Sequence, residues 1–252
     1  MSSLVLSLFP GIGLLDMAFE EEGFCVVRGP DLLWGGDIQR FHPPAGLFDG
    51  VIGGPPCQAF SKLSHLVRSL YGEGAVKPNR IPEFERCIDE AQPRWFLMEN
   101  VPDAPLPAVS GFDVRSQVIR DIWVGGVQSR ERRFCFGARV ETGAFQIETL
   151  ALHSMDAEPT VCATAGGRRV SVAIVGSGKP KRSKLPHETT RPISVMCELQ
   201  GLPADFFGDS PFTLDGKRKM IGNGVPLPMG RAVAKAVRAT LGNPFPSPGR
   251  EG

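Results

Sequence analysis

The sequence predicts an α/β fold, a mostly parallel sheet with helices on both faces, and three observations carry that prediction. Short unbroken apolar runs recur through the first half of the chain, as strands buried on both sides require. Segments of helical periodicity lie between them. Each run ends in glycine or proline beside polar residues, which is the punctuation of a strand-to-helix turn. The composition agrees: of 252 residues 42% are hydrophobic and 22% charged, enough apolar material for a sizeable core and too much for a mainly disordered chain.

The first strand is Leu4-Val5-Leu6-Ser7-Leu8-Phe9, followed by the turn Pro10-Gly11-Ile12-Gly13 and an amphipathic helix over about 14 to 22. Cys25-Val26-Val27 is the second strand, and Phe48-Asp49-Gly50-Val51-Ile52 the third, ended by Gly53-Gly54-Pro55-Pro56. A helix around 82 to 91 precedes the strand Trp95-Phe96-Leu97-Met98. From about 141 to 190 the chain turns to glycine, serine, threonine and basic residues with short β-like runs such as 170 to 175, the pattern of a small insert. Residues 226 to 241 form an amphipathic helix with Met229, Val233, Val237 and Leu241 on one stripe, and 242 to 252 are a Pro- and Gly-rich tail expected to fray.

Charge and cysteine usage exclude several classes. The net charge is +1, yet Arg168, Arg169, Lys179, Lys181, Arg182, Lys184 and Arg191 are opposed only by Glu188. Such a cluster either neutralises phosphates or is a solvated loop. Cysteines 25, 57, 87, 135, 162 and 197 form no CxxC pair, so neither a disulfide framework nor a structural zinc site is indicated. His42, His65, His153 and His187 lack ligand spacing, and no metal is expected. No apolar run approaches the ~20 residues of a membrane span, and the N-terminus lacks the basic flank of a signal peptide. A reducing, intracellular and cytoplasmic setting is expected.

In an open parallel sheet the turns at the carboxyl ends of the strands converge on one crevice. The first turn, Phe9 to Gly13, lets a ligand approach the backbone, or simply needs glycine. The second places the Cys57 thiol just past a buried strand on a turn stiffened by Pro55 and Pro56. That position favours a nucleophile over an inert packed sulfur. The third puts Glu99 and Asn100 directly after another strand, where a carboxyl can serve a heterocycle as proton donor or merely cap the next turn.

The series Phe9-Pro10-Gly11-Ile12-Gly13, Pro55-Pro56-Cys57-Gln58, Glu99-Asn100-Val101, Gln128-Ser129-Arg130-Glu131-Arg132, Gln200-Gly201-Leu202-Pro203 and Gly222-Asn223-Gly224-Val225-Pro226-Leu227-Pro228 resembles the ordered motifs of the carbon-5 cytosine methyltransferases. The match runs from about residue 4 to 240. The resemblance implies a Rossmann-like S-adenosylmethionine-dependent methyltransferase fold with a small target-recognition region. It implies a DNA (cytosine-5-)-methyltransferase acting on double-stranded DNA as a monomer, with S-adenosylhomocysteine as product, in restriction-modification, host regulation or phage self-protection. Cys57 would attack carbon 6 of a flipped-out cytosine while Glu99 contacts ring nitrogen 3 and the exocyclic amine. Arg132 would meet the base oxygen, with Gln128 and Arg130 in support.

For the cofactor, the resemblance implies Phe9, Gly11, Ile12 and Gly13 at the first turn, Asp37 and Ile38 at the adenine, and Pro56, Asn223 and Val225 closing the pocket. Ser7 stands where the family usually has aspartate. The ribose-binding acid falls near Pro30, with Asp31 one position later, which predicts a weakened ribose contact. Gln58, Ser61, Thr160, Val161, Arg168 and Arg169 would meet the nucleic acid. The expected division is 1–140 for catalysis and cofactor, 141–190 for target recognition, 191–241 as a return segment completing the catalytic domain, and 242–252 as a flexible tail. A tRNA cytosine methyltransferase and a catalytically silent module of the same fold remain as alternatives.

Overall fold

The computed structural model describes residues 3–56, 69, 78–139, 142–150, 157, 158, 160, 161 and 191–242. Among the described residues six strands form one sheet: β1 (Leu4–Leu8), β2 (Cys25–Arg28), β3 (Gly50–Gly53), β4 (Trp95–Asn100), β5 (Asp113–Arg120) and β6 (Glu131–Ala138), in the order β2-β1-β3-β4-β6-β5. Strands β2, β1, β3 and β4 pair in parallel, whereas β6 runs antiparallel to both β4 and β5. The chain leaves β1 toward β2 on one side and returns to β3 on the other. That reversal puts a topological switch point between β1 and β3, where a crevice opens outside the carboxyl ends.

The apolar runs of β1, β3 and β4 form strands because both faces are covered. Val5, Ile52, Trp95 and Leu97 pack on the face carrying α1 (Leu14–Glu21) and α5 (Leu227–Thr240), while Leu6, Leu8, Phe96 and Met98 pack on the face carrying α2 (Ile81–Ala91). At Gly50 a Cβ would overlap the Trp95 ring, so the residue has no side chain because its neighbour strand supplies the volume. Two further helices, α3 (Ile193–Leu199) and α4 (Leu214–Asn223), precede α5. Helix α5 lies on α1, with a Cβ at Gly230 only 3.0 Å from the Ala18 methyl and Arg231 held by both Glu21 carboxylate oxygens at 2.6 and 2.8 Å. Three expectations differ from the structure: β4 runs on through Glu99 and Asn100, and neither the β5–β6 hairpin nor helices α3 and α4 are anticipated by the sequence patterns above. The β-like run 170 to 175 and the tail from 243 lie outside the described residues.

Burial pushes the Cys87 and Cys135 thiols up to about 11, so both stay protonated at pH 8. Iodoacetamide on the native protein at pH 8 is expected to modify exposed Cys25 and to spare Cys87 and Cys135 until denaturant is added. Native labelling at either position, mapped by mass spectrometry, would contradict that packing.

Candidate active site

Because β6 is antiparallel to β4, the start of β6 lies beside the end of β4, with Asn100 opposite Arg133. This register brings Arg132 to Glu99, its Nε 2.7 Å from Glu99 Oε1, with the two side chains only 14% and 12% exposed. A pair so far withdrawn from water interacts more strongly than one on the surface. The carboxylate lies against the turn after β3, where a Cβ on Gly54 would stand 2.9 Å from Glu99 Oε2. Asn100 completes the junction: its Nδ2 donates to the Pro55 carbonyl at 3.1 Å and its Oδ1 accepts from Val101 N at 2.9 Å. The exposed Pro56 ends this described stretch, and Cys57, Gln58 and Ser61 lie outside the described residues.

The other residues of the Gln128 to Arg132 motif act on the backbone. Gln128 is fully buried, its Nε2 donating to Leu199 O at 2.7 Å and to Gln200 Oε1 at 3.2 Å, and its Oε1 accepting from Val161 N at 2.8 Å. Gln200 continues the chain to Ile221 O at 2.6 Å. Arg130, also buried, donates from Nη1 to the carbonyls of Val161 and Gly222, both at 3.1 Å. Gln128 and Arg130 thus hold Val161, Leu199 and Gly222 against the start of β6, the supporting place expected for them beside Arg132. One expectation is corrected by this packing: Val161 is a core residue with no surface to offer a nucleic acid. Thr160 is half-buried, and Arg168 and Arg169 lie outside the described residues.

At the first turn, Phe9 and Gly11 adopt positive φ of 56° and 57°, and a Cβ on Gly11 would meet nothing within 4 Å. That open face, with a carboxylate beside it, fits an adenosyl cofactor. Asp31 Oδ2 accepts from Gly11 N at 2.9 Å and its Oδ1 from Leu33 N at 2.7 Å, so the carboxylate is folded onto the first turn. Trp34 Nε1 donates to Gly11 O at 2.8 Å and its ring meets Phe212 edge-on at 5.8 Å, a contact that spacing in the sequence does not announce. At Gly13 the φ of 81° favours glycine, and a Cβ there would stand 2.5 Å from Nη2 of the Arg28 guanidinium.

Arg28 in turn belongs to a relay, anchored on the buried Ser7 and Asp16, that the sequence did not reveal. Ser7 Oγ donates to Asp16 Oδ1 at 2.5 Å, and Asp16 Oδ2 lies 3.0 Å from Arg28 Nε. Burial pushes the Asp16 carboxyl above the usual carboxylate range, opposed by the Ser7 hydroxyl and the Arg28 charge. Half-buried Ile12 lies between the two glycines. Asp37 caps the short turn Ile38–Arg40 by accepting from Gln39 N at 3.0 Å, and the carbonyl of buried Ile38 accepts from Arg86 Nη2 at 2.7 Å. Asn223 is exposed at the end of α4 and Val225 is buried. Among the described residues no group of three His, Cys, Asp or Glu is placed to hold a metal, and no helix is long and apolar enough to cross a membrane.

Comparison with known proteins agrees with this geometry. Residues 35–105 match the family model of C-5 cytosine-specific DNA methylases. The chain is 28% identical over 175 residues to the Type II methyltransferase M.FnuDI of Fusobacterium nucleatum, covering 57% of this chain and 49% of that protein, and so spans about half of that relative's length. It is 30% identical over 125 residues to the Type II methyltransferase M.HgiGI of Herpetosiphon aurantiacus, covering 41% of this chain and 94% of that protein. The solved structure of the Entamoeba histolytica methyltransferase EhMeth superposes with a TM-score of 0.60 at 12% identity, covering 95% of this chain and 98% of that one, so the two share a fold. With the family model, the M.HgiGI match and the Glu99–Arg132 junction in agreement, the chain belongs to the C-5 cytosine-specific DNA methylase family.

Proposed function

We propose that this chain is a DNA (cytosine-5-)-methyltransferase acting on a cytosine flipped out of double-stranded DNA. The observation that carries the reading is the Glu99–Arg132 pair set against Gly54 and the turn that leads into Cys57. S-adenosylmethionine, held at the Phe9 to Gly13 turn with Asp31, Asp37, Ile38, Asn223 and Val225, supplies the electrophilic methyl group. The protein supplies the rest. Base flipping costs a few kcal/mol, and the emptied ring edge needs polar partners in the pocket. Glu99 accepts from the exocyclic amine and faces ring nitrogen 3, and Arg132 donates to the base oxygen. The Cys57 thiolate bonds to carbon 6, which places electron density on carbon 5. Carbon 5, made nucleophilic in this way, would take up the methyl group; its proton would then pass to solvent as the bond to Cys57 breaks, restoring the ring and releasing the thiolate. Gln58, Ser61, Thr160, Arg168 and Arg169 meet the nucleic acid, the arginines at phosphates, which position the protein without specifying sequence.

The test is incubation of the purified chain with S-adenosylmethionine and either mixed-sequence duplex DNA or tRNA, followed by digestion to nucleosides and mass spectrometry. 5-Methylcytosine on DNA is the expected result. Product on tRNA alone would move the substrate to RNA, and no product on either, with the cofactor demonstrably bound, would leave a silent module of the same fold.

A further inference from the structure

Several amides of the first turn are already engaged within the protein. Of its backbone N–H groups, that of Phe9 donates to Pro30 O at 3.3 Å, that of Gly11 to Asp31 at 2.9 Å and that of Gly13 to Pro10 O at 2.8 Å, while Pro10 has none. Three amides of the glycine turn are therefore engaged internally, and a charged side chain beside the turn adds to what the remaining amides offer a ligand's negative charge. The proposed cofactor carries a carboxylate on its amino-acid tail, and that group requires a donor. Arg28, the last residue of β2, stands beside the turn with its guanidinium over Gly13. Asp16 fixes it through Nε, and Ser7 fixes Asp16 from the neighbouring strand, leaving the fork of Nη groups on a side chain still half exposed. A guanidinium anchored at one edge by a buried carboxylate is preorganised for a second carboxylate at the other. The turn is thus flanked by a cation at Gly13 and by the Asp31 carboxylate at Gly11.

We propose that Arg28 binds the carboxylate of the cofactor's amino-acid tail, with Ser7 and Asp16 as its positioning residues; the proposal rests on the reading of this turn as the S-adenosylmethionine site. Calorimetric titration of the purified chain with S-adenosylhomocysteine and with 5'-methylthioadenosine, which keeps the adenosine and sulfur but lacks the tail, tests it. Arg28→Gln is expected to weaken S-adenosylhomocysteine by about 10- to 100-fold, as loss of a charge-assisted bond does, and to leave 5'-methylthioadenosine within about two-fold. Arg28→Lys, which keeps the charge without the fork, should retain part of the difference and serves if the glutamine variant does not fold. Equal weakening of both ligands, or of neither, would overturn the assignment. A native chain that binds neither ligand would instead sink the cofactor reading itself, a result separate from any effect of the Arg28 variants.

Discussion

Cys57→Ser is expected to abolish 5-methylcytosine formation on duplex DNA, and Glu99→Gln to slow it by about 10²–10³-fold with cofactor affinity unchanged. The serine hydroxyl is almost never ionised near neutral pH, whereas a thiol with an ordinary pKa of ~8.5 already contributes some anion there, so the first variant loses the nucleophile outright. The second keeps the shape: the amide oxygen of glutamine still accepts from Arg132, whose Nε lies 2.7 Å from the present carboxylate, and the Gly54 contact is preserved. What disappears is the carboxylate at the edge of the flipped base. Single-turnover rates measured by nucleoside mass spectrometry separate chemistry from binding. Wild-type turnover by Glu99→Gln would remove Glu99 from the chemical step, and surviving activity in Cys57→Ser would remove the covalent route.

Gly126→Ala is expected to cost roughly 3 kcal/mol or more of stability, lowering the melting temperature by about 6–12 °C in a chain of this size. The added methyl would overlap the carboxylate of Asp121, a fully buried residue that accepts from Val127 N at 3.1 Å and Gln128 N at 3.0 Å. Burial pushes this carboxyl up in pKa while those two amides pull it down, so the group has no alternative solvent to turn to. The Gly126 amide itself donates to the Asp121 carbonyl at 2.9 Å, which closes the corner from the other side. Because Gln128 and Arg130 follow at once, the strain passes to the brace that carries Arg132. A melt within about 2 °C of the parent would show that the corner absorbs the methyl and that the brace is looser than its hydrogen bonds indicate.

The parallel strands β1, β3 and β4 were legible because they are buried on both faces and so read as unbroken apolar runs, while the exposed edge strand β2 was legible by its β-branched valines alone. The edge strand β5 escapes that rule: most of its residues are exposed or half-buried, with Asp113, Arg115, Ser116 and Gln117 breaking the pattern. The order of the site motifs pointed to the convergence of Glu99 and Arg132, but the reason they touch is the antiparallel register of β6 on β4, which no local spacing encodes. The Ser7–Asp16–Arg28 relay was hidden for the same reason, since it joins a strand end, a helix turn and the edge strand. Gln128 reads as a member of the catalytic motif, yet its partner Gln200 lies 72 residues away, and only the pair explains why both are buried. Asp31 was legible as an acid near the right place. Its capture by the Gly11 amide was not, because that depends on how sharply the chain turns after β2.

The packing of α5 on α1 bears on how the protein is made. Glu21 and its partner Arg231 are separated by 210 residues, so a growing chain on the ribosome presents the apolar face of α1, and the turn ahead of it, long before the covering helix is synthesised. Contacts of that sequence separation slow folding and lengthen the exposure of nascent surface to chaperones and proteases. A chain cut before α5 would leave the apolar face of its first helix uncovered.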